Sequence, residues 1–138
     1  MPGEHVDAFV ASVKRCLEST SFIKDFYERF LGTSVAVRDK FLDTNFDRQH
    51  QAMADSLYAM AVDAQGGPEN LARLDMNRLT RRHKEMGIGA GMYDVWLDCL
   101  IQTAREHDPE FSDTLERTWR ECLAPGIERM RSGASSRG

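Results

Sequence analysis

The chain has 138 residues, of which 41% are hydrophobic and 29% are charged, and its formal net charge is -4. A chain of this length suits a single domain that buries roughly two-thirds of the surface its unfolded form exposes. The negative balance argues against a surface that binds nucleic acid phosphates. No stretch approaches the roughly 20 consecutive apolar residues of a membrane span, and the first residues lack the pattern of a signal peptide. We therefore expect a cytoplasmic protein with no nucleic acid or membrane partner.

Three cysteines, Cys16, Cys99 and Cys122, lie far apart in the sequence at apolar helical positions. Cysteines that form a disulfide framework or a metal site usually occur in spaced clusters, which this chain lacks. We interpret all three as small buried residues in a reducing compartment.

The first half of the chain repeats its hydrophobic residues at the spacing of an amphipathic helix. This pattern predicts helices from Val6 to Leu17, from Phe22 to Leu31 and from Gln49 to Ala64, with a short helix or turn between Val35 and Leu42. The second of these is rich in aromatic residues. Asn45 or Asp47 can cap the helix that follows them, because a short polar side chain accepts a hydrogen bond from the first helical turn.

The second half continues the same helical spacing. Helices are predicted over residues 76–86, over residues 92–103, and from Leu115 onward, where Pro125-Gly126 should interrupt the last helix before Ile127 and Met130. Residues 132–138 are rich in Ser, Gly and Arg and are expected to be disordered, so the domain covers residues 1–131. His5 and His107 lie near helix ends and are expected to be solvent exposed. No segment alternates with the period of a strand, so the predicted fold class is all-α.

An imidazole lies on an apolar helical stripe in the middle of the chain. Met76, Leu79, His83 and Met86 are spaced for one helix face, and Gly87 then breaks the helix. A histidine in this position is either a hydrogen-bonded core residue or the ligand of a cofactor. The chain has no H-E-x-x-H motif, no C-x-x-C pair and no repeated Glu-x-x-His pair, so a metal held by protein side chains alone is not expected. A flat apolar cofactor such as haem needs only one neutral imidazole.

The segment around this histidine resembles the globins, specifically the bacterial single-domain globins and the haem domain of flavohaemoglobins. Arg82-His83, Gly87-Ile88 and Tyr93 match a stretch of that family in which the histidine is the proximal iron ligand. Upstream, Phe26-Tyr27, Phe41 and the run Gln49-His50-Gln51-Ala52-Met53 resemble further family positions in the same order. The resemblance spans almost the whole chain and implies a globin fold, a helical sandwich around a haem pocket with a short or absent D helix.

The resemblance also implies a cofactor, haem b, and a set of site residues. His83 is the expected metal ligand, and its second ring N–H is expected to bond a carbonyl of its own helix. Tyr27 and Gln49 are the expected distal residues, and a one-residue shift would give the position of Gln49 to His50. The other residues expected to contact the cofactor are Phe41, Met53, Leu79, Arg82, Ile88, Tyr93, Trp96 and Leu100, with Arg82 near a propionate.

The function implied by this resemblance is reversible binding of O2, NO or CO at a five-coordinate iron, for oxygen storage or NO scavenging. We expect no reductase domain in this chain, so NO dioxygenase turnover is expected to need an external reductase. The acidic residue that supports the proximal histidine in flavohaemoglobins would fall near Ala134, where this chain has none. A gas sensor that signals to a partner protein or a missing output domain is the alternative, and a helical interaction module without cofactor is a third hypothesis. Formation of a homodimer is left open.

Overall fold

The computed structural model describes residues 2–64, 81–84 and 87–135 of the chain. Its helices are α1 (Pro2–Glu18), α2 (Phe22–Leu31), α3 (Val35–Asp39), α4 (Phe46–Ala64), α5 (Ala90–His107) and α6 (Asp113–Ser135). Residues 81–84 are also helical. The described ranges contain no strand, and the predicted all-α class is confirmed. Among the described helices, none combines the length and apolar character needed to cross a membrane.

Short polar side chains determine where several helices begin. The Oγ atom of Ser34 accepts a hydrogen bond from the Val37 N–H at 3.1 Å, and Asn45 Oδ1 accepts one from the Arg48 N–H at 3.2 Å. Both are N-caps, which satisfy backbone donors that have no partner within the helix. Because Asn45 is the cap, α4 begins at Phe46, before the predicted start at Gln49. Residues 40–43 form turns and residues 44–45 are irregular, so no D helix separates α3 from α4.

The last helix extends beyond its predicted end. Helix α6 is continuous across Pro125, where the sequence predicts an interruption, and it reaches Ser135. Residues 132–135 are therefore helical although the sequence predicts disorder from residue 132. Adding residues to an existing helix costs little compared with starting one, so Ser, Gly and Ala can continue it. Residues 136–138 lie outside the described part of the chain.

The main core lies where α1, α5 and α6 meet. Phe9, Leu100 and Trp119 are fully buried there, and the Phe9 and Trp119 rings meet edge to face with centroids 5.3 Å apart. All three cysteines are free thiols; Cys16 and Cys99 are buried, as predicted, whereas Cys122 is only partly buried. Burial raises the pKa of the Cys16 thiol to about 12, so this thiol stays protonated and behaves as an apolar core group.

A buried carboxylate joins the end of α5 to α1 and α6. The Asp108 side chain is fully buried, and it accepts hydrogen bonds from Ser12 Oγ at 2.5 Å and from Arg15 Nε at 2.6 Å. Trp119 Nε1 donates in turn to Ser12 Oγ at 2.9 Å, and the Glu110 N–H donates to Asp108 Oδ1 at 2.9 Å. Burial alone would raise the pKa of Asp108, but these hydrogen bonds and the Arg15 charge outweigh it and hold that pKa below its usual range.

We expect the Asp108→Asn substitution to lower the free energy of unfolding by about 1–3 kcal/mol near pH 7, because buried donors lose a charged acceptor. A carboxylate with a depressed pKa stabilises the folded state above the pKa of its unfolded form. The difference between wild type and variant should therefore be complete above about pH 5 and shrink as the pH falls through the folded pKa. Urea unfolding across this range measures it.

Asp43→Asn is the matched control, since Asp43 is exposed on a turn. It should leave the free energy of unfolding almost unchanged. An Asp108→Asn loss no larger than that of Asp43→Asn, or one that does not vary with pH, contradicts the assigned role of the buried carboxylate.

His107, at the end of α5, is mostly buried rather than exposed as predicted. Its side chain is 12% exposed, its Nε2 lies 2.7 Å from the Asp25 carboxylate, and its Nδ1 lies 2.7 Å from Ser19 Oγ. The prediction was wrong because the fold packs α2 and the turn before it against the last turn of α5, a contact that no local pattern indicates. His5 is exposed, as predicted.

Candidate functional site

A cavity lies between α2, α4, the helical residues 81–84 and the first turns of α5. The structure brings most of the predicted site residues to its walls, namely Tyr27, Phe41, Gln49, Met53, Arg82, His83, Ile88, Tyr93 and Trp96. Residues from segments far apart in the sequence therefore meet at a single cavity, as the predicted site requires.

Two predicted site residues in the described part of the chain, Leu100 and His50, do not line this cavity. Leu100 is fully buried in the core, so its contact with a cofactor stays a prediction. The wall of α5 is formed instead by its first two turns, with Met92 and Trp96. His50 lies outside the lining, and Leu79 lies outside the described residues.

Several residues that line the cavity were not predicted from the sequence. They are mostly apolar and comprise Phe30, Ala52, Ser56, Leu57, Met60, Met92 and Met130. Leu57 and Met60 lie on the inner face predicted for α4 but were not assigned to the site, and Ser56 follows Met53 at helical spacing. No local signal could have found Met130, since only the packing of α6 brings it to the cavity.

The position of His83 is fixed by the way its helix ends. The Gly87 N–H donates to the Lys84 carbonyl at 3.1 Å, and the Ile88 N–H donates to the His83 carbonyl at 3.0 Å. With Gly87 at φ +74°, these bonds form a Schellman motif, in which a glycine adopts the left-handed conformation that other residues avoid. The motif holds the His83 backbone and places the Ile88 side chain in the cavity wall.

The His83 ring is oriented by a tyrosine of α5. Its Nδ1 lies 3.2 Å from the Tyr93 hydroxyl oxygen. The sequence predicts a backbone carbonyl of its own helix as this partner, and the structure shows a side chain ten residues later. Burial lowers the pKa of His83 to about 4, and the positive charge of Arg82 adds to the effect. The imidazole is therefore neutral near pH 7, and with Nδ1 held by Tyr93 its Nε2 is available to bind a metal.

The surroundings of Tyr93 contain a charge pair, but the pair does not reach its hydroxyl. Asp94 and Arg131 bond to each other at the surface, and His83 is the hydrogen-bond partner of the Tyr93 hydroxyl within the described ranges. Burial raises the pKa of Tyr93 to about 12. The hydroxyl is therefore neutral near pH 7 and interacts with His83 as an uncharged group.

The α2 and α4 walls of the cavity carry a hydrogen-bonded polar pair. Gln49 Nε2 donates to the Tyr27 hydroxyl oxygen at 2.8 Å. Burial raises the pKa of Tyr27 to about 12, although the hydrogen bond from Gln49 acts in the opposite direction. The tyrosine hydroxyl is thus protonated near pH 7. Because its oxygen accepts from Gln49, its own hydrogen remains to be donated to a ligand in the cavity.

The structure separates the two candidates for the distal polar position. Gln49 lines the cavity, whereas His50 lies against the ring of Tyr27, with ring centroids 5.3 Å apart and an angle of 15° between the planes. Consecutive residues of a helix point about 100° apart, which explains why only one of them faces the cavity.

Comparison with known proteins gives one family and one solved structure. A family model described as Globin matches residues 14–128 of the 138 residues. The structure of protein PA3967 from Pseudomonas aeruginosa PAO1, described as structurally highly homologous to a human haemoglobin, matches with a TM-score of 0.85 and 28% sequence identity. The match covers 94% of this chain and 98% of that one. No curated protein sequence matches this chain. The family match includes every described residue that lines the cavity except Met130.

Proposed function

We propose that this chain, which belongs to the globin family, holds one haem in the cavity described above and binds a diatomic gas there reversibly. The predicted globin family and fold are confirmed by the comparisons. The observation that carries the proposal is the pairing of a neutral imidazole, His83, with a protonated hydroxyl, Tyr27, on the walls of one apolar cavity.

The residues of the cavity fit a haem better than a metal ion held by protein side chains. Within the described ranges, no three His, Cys, Asp or Glu side chains lie close enough together to hold an ion. One imidazole beside the apolar side chains of Phe41, Met53 and Ile88 suits a flat apolar ring that carries its own metal. Arg82 is exposed at the edge of the cavity, where its guanidinium can pair with a carboxylate of the ring.

The form of haem that we propose is haem b, which is held without covalent bonds. The c-type covalent attachment of haem uses cysteine thiols at the cofactor, typically in a C-x-x-C-H motif. No such motif occurs in the sequence, and Cys16, Cys99 and Cys122 are all absent from the cavity lining. The chain must therefore retain the ring through His83, apolar contacts and Arg82.

The protein positions the haem and donates hydrogen bonds, and the haem iron, when bound, supplies the site for O2, NO or CO. His83 would hold the iron through Nε2, with its ring oriented by Tyr93. Tyr27 would donate its hydroxyl hydrogen to the gas molecule, while Gln49 holds the tyrosine oxygen in place. In an apolar cavity such a hydrogen bond is stronger than in water, so the gas should leave slowly.

We favour gas binding, for storage or scavenging, over catalytic turnover. Within the described ranges, the Tyr93 hydroxyl has a neutral imidazole as its partner rather than a carboxylate. This would limit the electron density that His83 could pass through a haem iron to a bound gas. Oxidation of NO would in addition require an electron donor, which we expect to be an external reductase.

Reconstitution with haem tests the proposal. We expect one haem per chain, an intense Soret absorption band, and a reduced form that takes up O2 and releases it when O2 is removed. Visible absorption spectroscopy of the purified, haem-titrated protein measures all three. A chain that takes up no haem, or whose reduced haem form does not change its spectrum with O2 or CO, contradicts the proposal.

A further inference from the structure

The Tyr27 ring is enclosed by four other rings. Phe26, Phe41 and Phe46 meet it nearly edge on, with centroids 4.9, 5.7 and 5.9 Å away and angles between the planes of 72°, 68° and 71°. His50 is different because its ring lies almost parallel to Tyr27, at 5.3 Å and 15°. One face of the proposed hydrogen-bond donor is therefore covered by an imidazole that does not line the cavity.

We propose that His50 is a positioning residue, which stacks on Tyr27 and keeps its hydroxyl aimed into the cavity. The inference rests on the proposed function, since the hydroxyl matters only if a ligand binds beside it. It assigns to His50 a role other than that of a distal ligand, because His50 acts on the tyrosine and not on the gas.

Two consecutive residues of α4 hold Tyr27 at different places. Gln49 donates to the hydroxyl oxygen at the tip of the side chain, and His50 covers the face of the ring. His50 is supported in turn by Phe46, one helical turn earlier, whose ring centroid lies 6.0 Å from that of the imidazole. Because Phe46 and His50 both belong to α4, the packing of α4 against α2 brings the His50 ring onto the Tyr27 ring.

Stacking on the ring face restrains the motion that matters for the hydroxyl. Rotation about χ2 turns the ring about an axis through the hydroxyl oxygen and leaves that oxygen in place. A change in χ1 swings the whole ring and carries the oxygen away. A side chain packed flat on the ring opposes part of this swing, and we expect its loss to reduce the hydrogen-bonded population of Tyr27.

The test compares His50→Leu, which replaces the ring with a branched apolar side chain, with His50→Phe, which keeps a ring. We expect His50→Leu to raise the O2 dissociation rate of the reduced, haem-loaded protein about two- to tenfold, the range for loss of an aromatic pair. His50→Phe should recover most of the wild-type rate. Gln51→Leu is the control, since Gln51 is exposed on the same helix and bonds only Asp55 among the described residues.

A double-mutant cycle separates positioning from a direct effect on the ligand. In a Tyr27→Phe background, His50→Leu should cause no further increase in the O2 dissociation rate, because the hydroxyl it positions is gone. An equal increase in both backgrounds would show that His50 acts on the ligand or closes the cavity. An unchanged rate for His50→Leu in the wild-type background would overturn the inference equally.

A second measurement does not depend on gas binding. In the full chain with ¹³C-labelled tyrosine, the ring signals of Tyr27 should shift in His50→Leu and stay close to wild type in His50→Phe, both before and after haem loading. Unchanged Tyr27 signals in His50→Leu contradict the stacking role alone. Failure of the wild type to take up haem contradicts the proposed function instead, so the two failures are distinguishable.

Discussion

Replacing His83 with glycine is expected to abolish stable haem binding, and free imidazole is expected to restore it. His83 is the only histidine among the described residues that line the cavity. Its ring is neutral near pH 7 and is oriented by Tyr93, so its Nε2 is ready to bind a metal without loss of a proton. Loss of residues that merely support a metal ligand weakens affinity roughly 10- to 100-fold, and loss of the ligand itself should cost more.

Haem titration with and without added imidazole, followed by visible absorption, measures both effects. The glycine leaves a space in which free imidazole can take the place of the missing ring. His5→Gly is the control, because His5 is an exposed histidine of α1 and should not affect haem affinity. A His83→Gly protein that binds haem with wild-type affinity and the wild-type reduced spectrum would show that another group holds the iron.

The helices could be predicted from the sequence because their apolar residues recur at a helical period. That period located α2 and the inner face of α4, but it placed the start of α4 at Gln49, since Phe46 precedes the apolar stripe. The actual start depends on the cap at Asn45, which the sequence indicated only as one of two candidates. Burial of His107 could not be predicted, because its partners on α2 and in the turn before it are brought close only by the tertiary fold.

The candidate site could be predicted only where residues share a local pattern or match the family resemblance. Met53 follows from the face of α4, and His83 from its place on an apolar stripe before a glycine. The contact between His83 and Tyr93 joins the helical residues 81–84 to α5, and Met130 reaches the cavity from α6. No local sequence pattern indicates either the contact between His83 and Tyr93 or the position of Met130. The choice between Gln49 and His50 likewise depends on the rotation of α4 about its axis, which sequence spacing cannot fix to within one residue.

Replacing Tyr27 with phenylalanine is expected to raise the O2 dissociation rate of the reduced, haem-loaded protein about 10- to 150-fold. Hydrogen bonds to charged or strongly polarised groups contribute about 1.5–3 kcal/mol, and each 1.36 kcal/mol changes a rate tenfold. Burial keeps the hydroxyl protonated by raising its pKa to about 12, and Gln49 occupies its oxygen, so the hydrogen is available to the ligand. Stopped-flow displacement of O2 by CO measures the rate.

The Gln49→Leu variant distinguishes the donor from its support. If Gln49 acts by holding the tyrosine oxygen, its loss should raise the O2 dissociation rate by less than the loss of Tyr27, and Gln49→Leu should add little in a Tyr27→Phe background. Tyr58→Phe is the matched control, because Tyr58 is exposed on the outer face of α4. An O2 dissociation rate of Tyr27→Phe equal to that of Tyr58→Phe would show that the Tyr27 hydroxyl does not contact the ligand. A larger effect of Gln49→Leu than of Tyr27→Phe would show that the Gln49 amide is the hydrogen-bond donor.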